Sequence, residues 1–128
     1  MADNTPDHTA KTIDEMEAAF DGGLVKARAE LGVTSFGVQV LRLPPNYNDY
    51  PEHDHAADGQ EEVYMALDGS GHIDVNGQRV DIVPDMCVRV GPNAKRKIYS
   101  GPEGLRMIAL GGVPGKAYEV SPFTELTA

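Results

Sequence analysis

Two histidines and a glutamate near the middle of the chain have the residue types and spacing needed to hold a divalent metal ion. His53 and His55 are separated by a single residue, and Glu62 follows shortly after. In extended backbone, successive side chains point to opposite faces, so both imidazoles share one face while Asp54 points to the other. If a neighbouring strand delivers Glu62 to the same side, the resulting nitrogen and oxygen donors suit iron(II), manganese or zinc.

The region around these residues is predicted to consist of many short strands. Asn76-Gly77 is a strong signal for a two-residue hairpin, and further turns are predicted at Gly69-Ser70-Gly71 and at Pro84-Asp85. Closely spaced strands without intervening helices are typical of an all-β sandwich or barrel. The predicted strands cover residues 34–43, 62–67, 72–75, 78–83, 86–90, 96–100 and 105–110.

The 128 residues are enough for one domain with a hydrophobic core. Its expected parts are a disordered tail (1–11), an N-terminal helical segment (12–32), a barrel (33–112) and an irregular C-terminal extension that packs on the barrel or on a partner (113–128). Thr12-Ile13-Asp14-Glu15 has the form of a capping box and predicts a helix that ends near Gly22-Gly23. A second helix is predicted from Leu24 to Leu31, with Gly32 as its C-terminal cap.

Charge and composition narrow the range of partners. The formal net charge is -9, from 20 acidic and 11 basic residues, so nucleic acid and anionic membrane surfaces are expected to repel the chain. The sequence has neither an apolar run long enough to span a bilayer nor a signal peptide at its N-terminus. The single Cys87 cannot form an internal disulfide. We therefore expect a cytoplasmic protein whose partner is a small-molecule ligand or substrate.

The segment that starts at His53 resembles the first signature motif of the cupin superfamily. In that motif an HxH pair is followed by a glutamate and, after six further residues, by a glycine; His53, His55, Glu62 and Gly69 match these positions. The resemblance extends over about residues 32–112. It implies a single-domain cupin jelly-roll β-barrel, here with short N-terminal helices, that forms a homodimer. The gap between His55 and Glu62 is longer than is usual in the family, which lengthens a loop.

The second cupin motif supplies a further histidine to the metal, and this chain departs from it. No histidine follows His72, and the corresponding position falls on Arg96, or on Lys95 if the register slips by one. A guanidinium only donates hydrogen bonds and stays charged, so Arg96 cannot ligate a cation. Two arrangements remain open. Arg96 pairs with Glu62 and fills the site, or it swings away and leaves the three ligands as an open triad.

Two functions are compatible with these residues. One is a metal-dependent enzyme, of the dioxygenase or isomerase type, that acts on a small organic acid gripped by Arg96. The other is a non-enzymatic, metal-free cupin that binds a small molecule while Arg96 neutralises Glu62. Whether the chain is an enzyme stays open, because this barrel supports many unrelated chemistries.

Several other side chains could contribute to the ligand pocket. Tyr64 shares a face with Glu62 and is expected to line the pocket. Arg42, near the end of the strand predicted at 34–43, could reach an anionic ligand or form a surface ion pair. Tyr47 and Tyr50 could cover the barrel mouth or pack within their own loop.

Overall fold

A computed structural model describes residues 7–127 of the chain, which fold mainly into antiparallel strands. The elements are β1 (Ala18–Ala19), β2 (Leu24–Val25), α1 (Ala27–Leu31), β3 (Gly37–Leu43), β4 (Glu61–Val75), β5 (Gln78–Ile82), β6 (Cys87–Val90) and β7 (Arg96–Gly112), with 3₁₀ turns at Ile13–Glu15 and Pro122–Thr124. None of the helices found between residues 7 and 127 is long and apolar enough to cross a membrane.

The strands form one curled sheet in the order β1-β2-β3-β7-β4-β5, and β6 pairs with the first half of β4. The two longest strands, β4 and β7, pair along almost their whole length and form the centre of the sheet. This architecture confirms the all-β jelly-roll prediction. The curl stays open, because no strand pairing among the described residues joins β1 to β5.

The interior of the curl contains the main hydrophobic core. Its fully buried members include Tyr64, Ile73, Ile98 and Met107, which come from the two central strands. A smaller cluster lies on the other face of the sheet, where Met16 and its neighbours cover β3. The sheet is thus packed on both sides, and of the three candidate metal ligands it carries Glu62 on its inner face, while His53 and His55 lie in the loop before β4.

The turn predicted at Gly69-Ser70-Gly71 is wrong, because β4 continues through it as a bulged strand. Ala66 pairs with Met107 but Asp68 pairs with Arg106, so Leu67 is an extra residue on β4. One extra residue reverses the alternation of side chains along the rest of a strand. Ile73 consequently enters the core and His72 lies on the opposite face, where it stacks on Tyr99 with a centroid separation of 4.6 Å.

Gly69 is required where β4 passes close to the backbone of β7. Its φ is +78°, and a Cβ atom there would lie 2.1 Å from the carbonyl oxygen of Gly104. Gly77 has a similar φ of +84° but open space around it. We expect Gly69→Ala to lower the free energy of unfolding by about 1–3 kcal/mol more than Gly77→Ala, since only the former overpacks. Urea denaturation of both variants measures this difference; equal losses would contradict it.

The structure differs from the two helices predicted for the N-terminal segment. The capping-box residue Glu15 accepts a hydrogen bond from the backbone of Thr12, but the turn ends there, and β1 and β2 form a hairpin in place of the predicted helix. Pairing with the edge of β3 overrides the local helical preference, since β2 aligns Leu24 with Leu41. Only Ala27–Leu31 of the second predicted helix forms, and Gly32 ends it with a φ of +79°.

The two ends of the described chain pack against each other. The buried Lys26 ammonium donates to the carbonyl oxygen of Glu125 and to the carboxylate of Glu17, and Thr127 donates to that same carboxylate. The C-terminal extension thus lies on this chain's own N-terminal segment. Most of the tail predicted to be disordered (1–6), together with residue 128, falls outside the described residues; residues 7–11 form no helix or strand.

Candidate metal centre

The three predicted ligands are brought together by different parts of the sheet. His53 forms a backbone bridge with Arg96 at the start of β7, and the backbone of His55 donates to the carbonyl oxygen of Pro92. Glu62 follows at the start of β4, on the face that points into the curl. One donor atom from each of the two histidines and the glutamate lies within 4.8 Å of the others. This separation is short enough for all three to hold one metal ion.

Hydrogen bonds orient both imidazoles for ligation through the same ring nitrogen. Nδ1 of His53 lies 3.1 Å from the carbonyl oxygen of Pro51, which can only accept a hydrogen bond. Nδ1 of His55 lies 3.1 Å from each carboxylate oxygen of Asp58. When Nδ1 carries the proton, Nε2 keeps the lone pair that binds a metal. The surroundings of both histidines therefore match those of metal-bound histidines in other proteins.

The carboxylate of Glu62 is held by one of its two oxygens. Oε1 accepts hydrogen bonds from Nη1 of Arg96 at 2.6 Å and from the hydroxyl of Tyr64 at 2.7 Å, and Nε2 of His55 lies 3.1 Å away. No side chain or backbone group within residues 7–127 donates to Oε2, which stays available to a cation. Burial raises the pKa of Glu62, but bonds from His55 and Tyr64 and the nearby positive charges lower it further, so the group remains anionic.

Arg96 is completely buried behind Glu62. Its exposed fraction is 0%, Nη2 donates to the carbonyl oxygen of Gly91 at 2.7 Å, and Nε has no partner among the described residues. Lys95, the alternative in the other register, is exposed. The structure thus forms the Arg96–Glu62 pair that the sequence left open, through one bond to Oε1. Because that bond leaves Oε2 available, the pair and a metal-binding triad are compatible.

The candidate metal centre opens into a cavity of about 790 Å³. Tyr64, Tyr47 and Tyr50 line it, whereas Arg96 does not. Arg42 reaches the cavity wall, but its Nε donates to the carbonyl oxygen of Gly22 and its Nη1 lies 3.4 Å from the carboxylate of Asp14. These contacts match the surface ion pair that the sequence allowed for Arg42.

Part of the cavity wall comes from segments for which the sequence predicts no function. Phe20 in the β1–β2 turn lines the cavity, and so do Tyr118, Phe123 and Thr124 of the C-terminal extension. The only sequence signal for these residues is the presence of aromatic side chains in irregular segments, which also occurs in ordinary packed loops. Their position depends on the contacts between the chain ends and could not be obtained from spacing alone.

Comparison with solved structures identifies the fold. No protein-family model matches the chain, and no curated protein matches it either. A cupin protein from Bacteroides fragilis aligns with a TM-score of 0.71 at 18% identity, over 97% of this chain and 98% of that one. The chain has a cupin fold.

Two structures described as enzymes are also similar to this chain. A sugar phosphate isomerase of the cupin superfamily from Silicibacter pomeroyi gives a TM-score of 0.68 at 17% identity, over 81% of this chain and 75% of that chain. A structure described as DMSP lyases gives a TM-score of 0.55 at 19% identity, over 66% of this chain and 45% of that chain. Similarities at this level of identity define the fold and leave the reaction open.

The metal-free protein should lose stability as His55 loses its proton. The hydrogen bond to Glu62 raises the pKa of His55 above its ordinary value of 6.5; burial opposes this and Asp58 adds to it. A raised pKa in the folded state stabilises the fold fully below pH 6.5, and this contribution disappears as the pH rises through the folded-state value. Urea midpoints of EDTA-dialysed protein at about pH 6 and about pH 9 measure the loss.

The matched control for this pH effect is His55→Gln, which cannot titrate in this range. We expect the variant to show a smaller decrease in stability between the two pH values. An equal decrease in both proteins would assign the effect to other groups. Because a proton and a metal compete for Nε2, metal uptake should also strengthen over the same range of pH.

Proposed function

We propose that this cupin binds a divalent ion of iron, manganese or zinc through Nε2 of His53, Nε2 of His55 and the carboxylate of Glu62. The observation that carries the proposal is the outward hydrogen bond of each Nδ1. These bonds leave Nε2 of each ring available to a metal ion, and Oε2 of Glu62, to which no group within residues 7–127 donates, can act as the third ligand atom. When bound, the ion would supply Lewis-acid or oxygen-activating chemistry.

The charges of the centre favour an anionic organic molecule as the substrate. Arg96 balances the charge of Glu62, and both imidazoles are neutral when they act as ligands, so a bound ion keeps its two positive charges. Two oxygen donors of an organic acid could complete its coordination. Arg96 acts here as a positioning residue, because it fixes Oε1 of Glu62 and does not line the cavity.

An enzymatic role, of the isomerase or dioxygenase type, is part of this proposal. The isomerase type is supported by the similar structure that is described as a sugar phosphate isomerase. The structure described as DMSP lyases supports an enzymatic role but neither of these two types. In this chain Tyr64 and Tyr50 would provide neutral hydroxyls beside the centre. Burial first, and the negative charge of Glu62 second, raise the pKa of both tyrosines. Both groups therefore remain protonated. Tyr64 already donates its proton to Oε1 of Glu62, so Tyr50 is the one of the two that can donate a hydrogen bond to a bound molecule.

Elemental analysis of protein purified without a histidine tag tests metal binding. We expect the wild-type protein to carry or take up iron, manganese or zinc, and His53→Ala to fall to background, because it removes one of three ligands. His72→Ala is the matched control, since His72 stacks on Tyr99 on the other face of the sheet. A wild-type protein that stays metal-free after addition of all three ions would contradict the proposal.

A second candidate is a metal-free pocket that binds an organic anion. It is favoured by the 2.6 Å bond between Arg96 and Glu62, in which the buried guanidinium satisfies the carboxylate without a metal. His55 would then be protonated between Glu62 and Asp58 and would attract the anion. Under this second function, EDTA-dialysed protein binds organic acids as tightly as metal-supplemented protein does, whereas under the first it binds them more weakly.

Dimerisation and a cytoplasmic location remain proposals. Exposed apolar side chains at Val83 and Met86, beside the β5–β6 turn, support a contact between two copies of the chain. Light scattering coupled to size-exclusion chromatography measures the mass directly. A mass equal to that of one chain at micromolar concentration would contradict the proposed homodimer.

A further inference from the structure

The cavity is much more apolar than a site for a small organic acid requires. Beyond the polar side chains of the metal centre, its walls include Leu24, Leu41, Leu43 and Tyr47. Its volume of about 790 Å³ lies in the range of pockets that enclose drug-sized molecules. A molecule of acetate size would occupy only the polar end and would leave these walls in contact with water.

Two phenylalanines at the outer end of the cavity extend the apolar wall. Phe20 and Phe123 both line the cavity, yet their exposed fractions are 70% and 56%. Their rings lie 6.2 Å apart between centroids, so they form one aromatic pair. The pair joins the β1–β2 turn to the 3₁₀ turn at Pro122–Thr124 and places apolar surface where ligand would enter.

Phe20 is held in an unfavourable conformation at this place. Its φ is +54°, and the following Asp21 has a φ of +55°. A bulky residue in the left-handed region costs about 1–2 kcal/mol, and a residue that is 70% exposed gains little burial in return. Such strain is typical of positions that serve a ligand.

From these observations we infer that the cavity binds an amphipathic carboxylic acid, with its apolar chain or ring against Phe20, Phe123, Leu24 and Tyr47. The carboxylate points to the metal centre, and this part of the inference rests on the proposed function. Binding of the apolar chain or ring of the ligand depends only on the cavity walls. Phe20 and Phe123 are accordingly the residues that determine which length of apolar chain is accepted.

A chain-length series of straight carboxylic acids tests the inference. Acetate, butyrate, hexanoate and octanoate are titrated calorimetrically into metal-supplemented protein and into EDTA-dialysed protein. Complete burial of one methylene group corresponds to a change of about fourfold in Kd. We expect octanoate to bind at least about 30-fold more tightly than butyrate, which allows for incomplete burial.

The two forms of the protein separate this inference from the metal proposal. If no metal binds, the dependence on chain length persists in both forms, and the inference stands while the metal proposal fails. Equal Kd values for butyrate and octanoate in both forms, or no binding of octanoate at millimolar concentration, overturn the inference.

Variants at Phe20 and Phe123 test whether the aromatic pair contacts the apolar chain of the ligand. Phe20→Asn keeps a residue that tolerates a positive φ, and Phe123→Ala removes the opposite ring. Each should weaken octanoate about tenfold and change the Kd of butyrate by less than about twofold. Phe36→Ala is the control, because Phe36 is exposed but does not line the cavity. If the first two variants bind octanoate as the control does, the assignment is overturned.

Discussion

Glu62→Ala should lower the free energy of unfolding by about 3–5 kcal/mol and abolish metal binding in the same protein. The loss of stability follows from Arg96, whose exposed fraction is 0% and whose ion pair is with Glu62. Removing the acid leaves a buried cation without a counter-charge and removes the acceptor of the Tyr64 hydroxyl. Urea denaturation monitored by circular dichroism measures the stability, and elemental analysis measures the metal.

The neighbouring residue provides a matched control for this prediction. Glu61 also pairs with an arginine, at 3.1 Å from Arg89, but that pair is largely exposed. We expect Glu61→Ala to cost less than about 1 kcal/mol. Glu62→Gln should fall between the two alanine variants, because an amide oxygen can still accept from Arg96. If Glu61→Ala and Glu62→Ala cost the same, Arg96 is not held by its pair as described.

Arg96→His should increase the affinity for a divalent metal by at least about a hundredfold. A positive charge a few ångströms from a divalent ion costs several kcal/mol even at an effective dielectric constant of about 20. The substitution removes that charge and places a further imidazole behind Glu62. Competition titration with a chelating indicator, on protein freed of metal, gives the two dissociation constants.

Arg96→Met separates the two contributions to this gain. It removes the charge and keeps much of the volume without adding a ligand, so its metal affinity should lie between those of the wild-type and Arg96→His proteins. Equal affinities in all three would show that Arg96 does not control the centre. A metal-free wild-type protein and a metal-binding Arg96→His variant would favour the metal-free function proposed second.

The sequence predicts where the candidate ligands lie, but it does not predict whether Arg96 pairs with Glu62. Alternation along extended backbone placed His53 and His55 on one face, and the structure brings both within 4.8 Å of Glu62. The behaviour of Arg96 could not be derived in the same way. A long side chain can form an ion pair or turn away from it without any difference in the sequence pattern. The 2.6 Å bond between Arg96 and Glu62 depends on the packing behind β4.

Local propensity failed where backbone pairing decided the structure. The capping box at Thr12 predicted a helix, but the residues that follow add a hairpin to the edge of β3. The pattern of apolar residues contains no signal for the extra residue Leu67, and the glycines after it predict a turn. A register shift depends on the partner strand, which a single run of sequence does not contain.

The two ends of the cavity are formed by different parts of the chain. This division affects how the ligand specificity of the cavity can change. Its polar end is built on the central strands, where Glu62 and Tyr64 are fixed by buried neighbours. Its outer end is built on the hairpin turn at Phe20 and on the C-terminal segment around Phe123. Homologous proteins could therefore exchange one apolar ligand for another through insertions or substitutions in these peripheral segments, while Glu62 and Tyr64 stay the same.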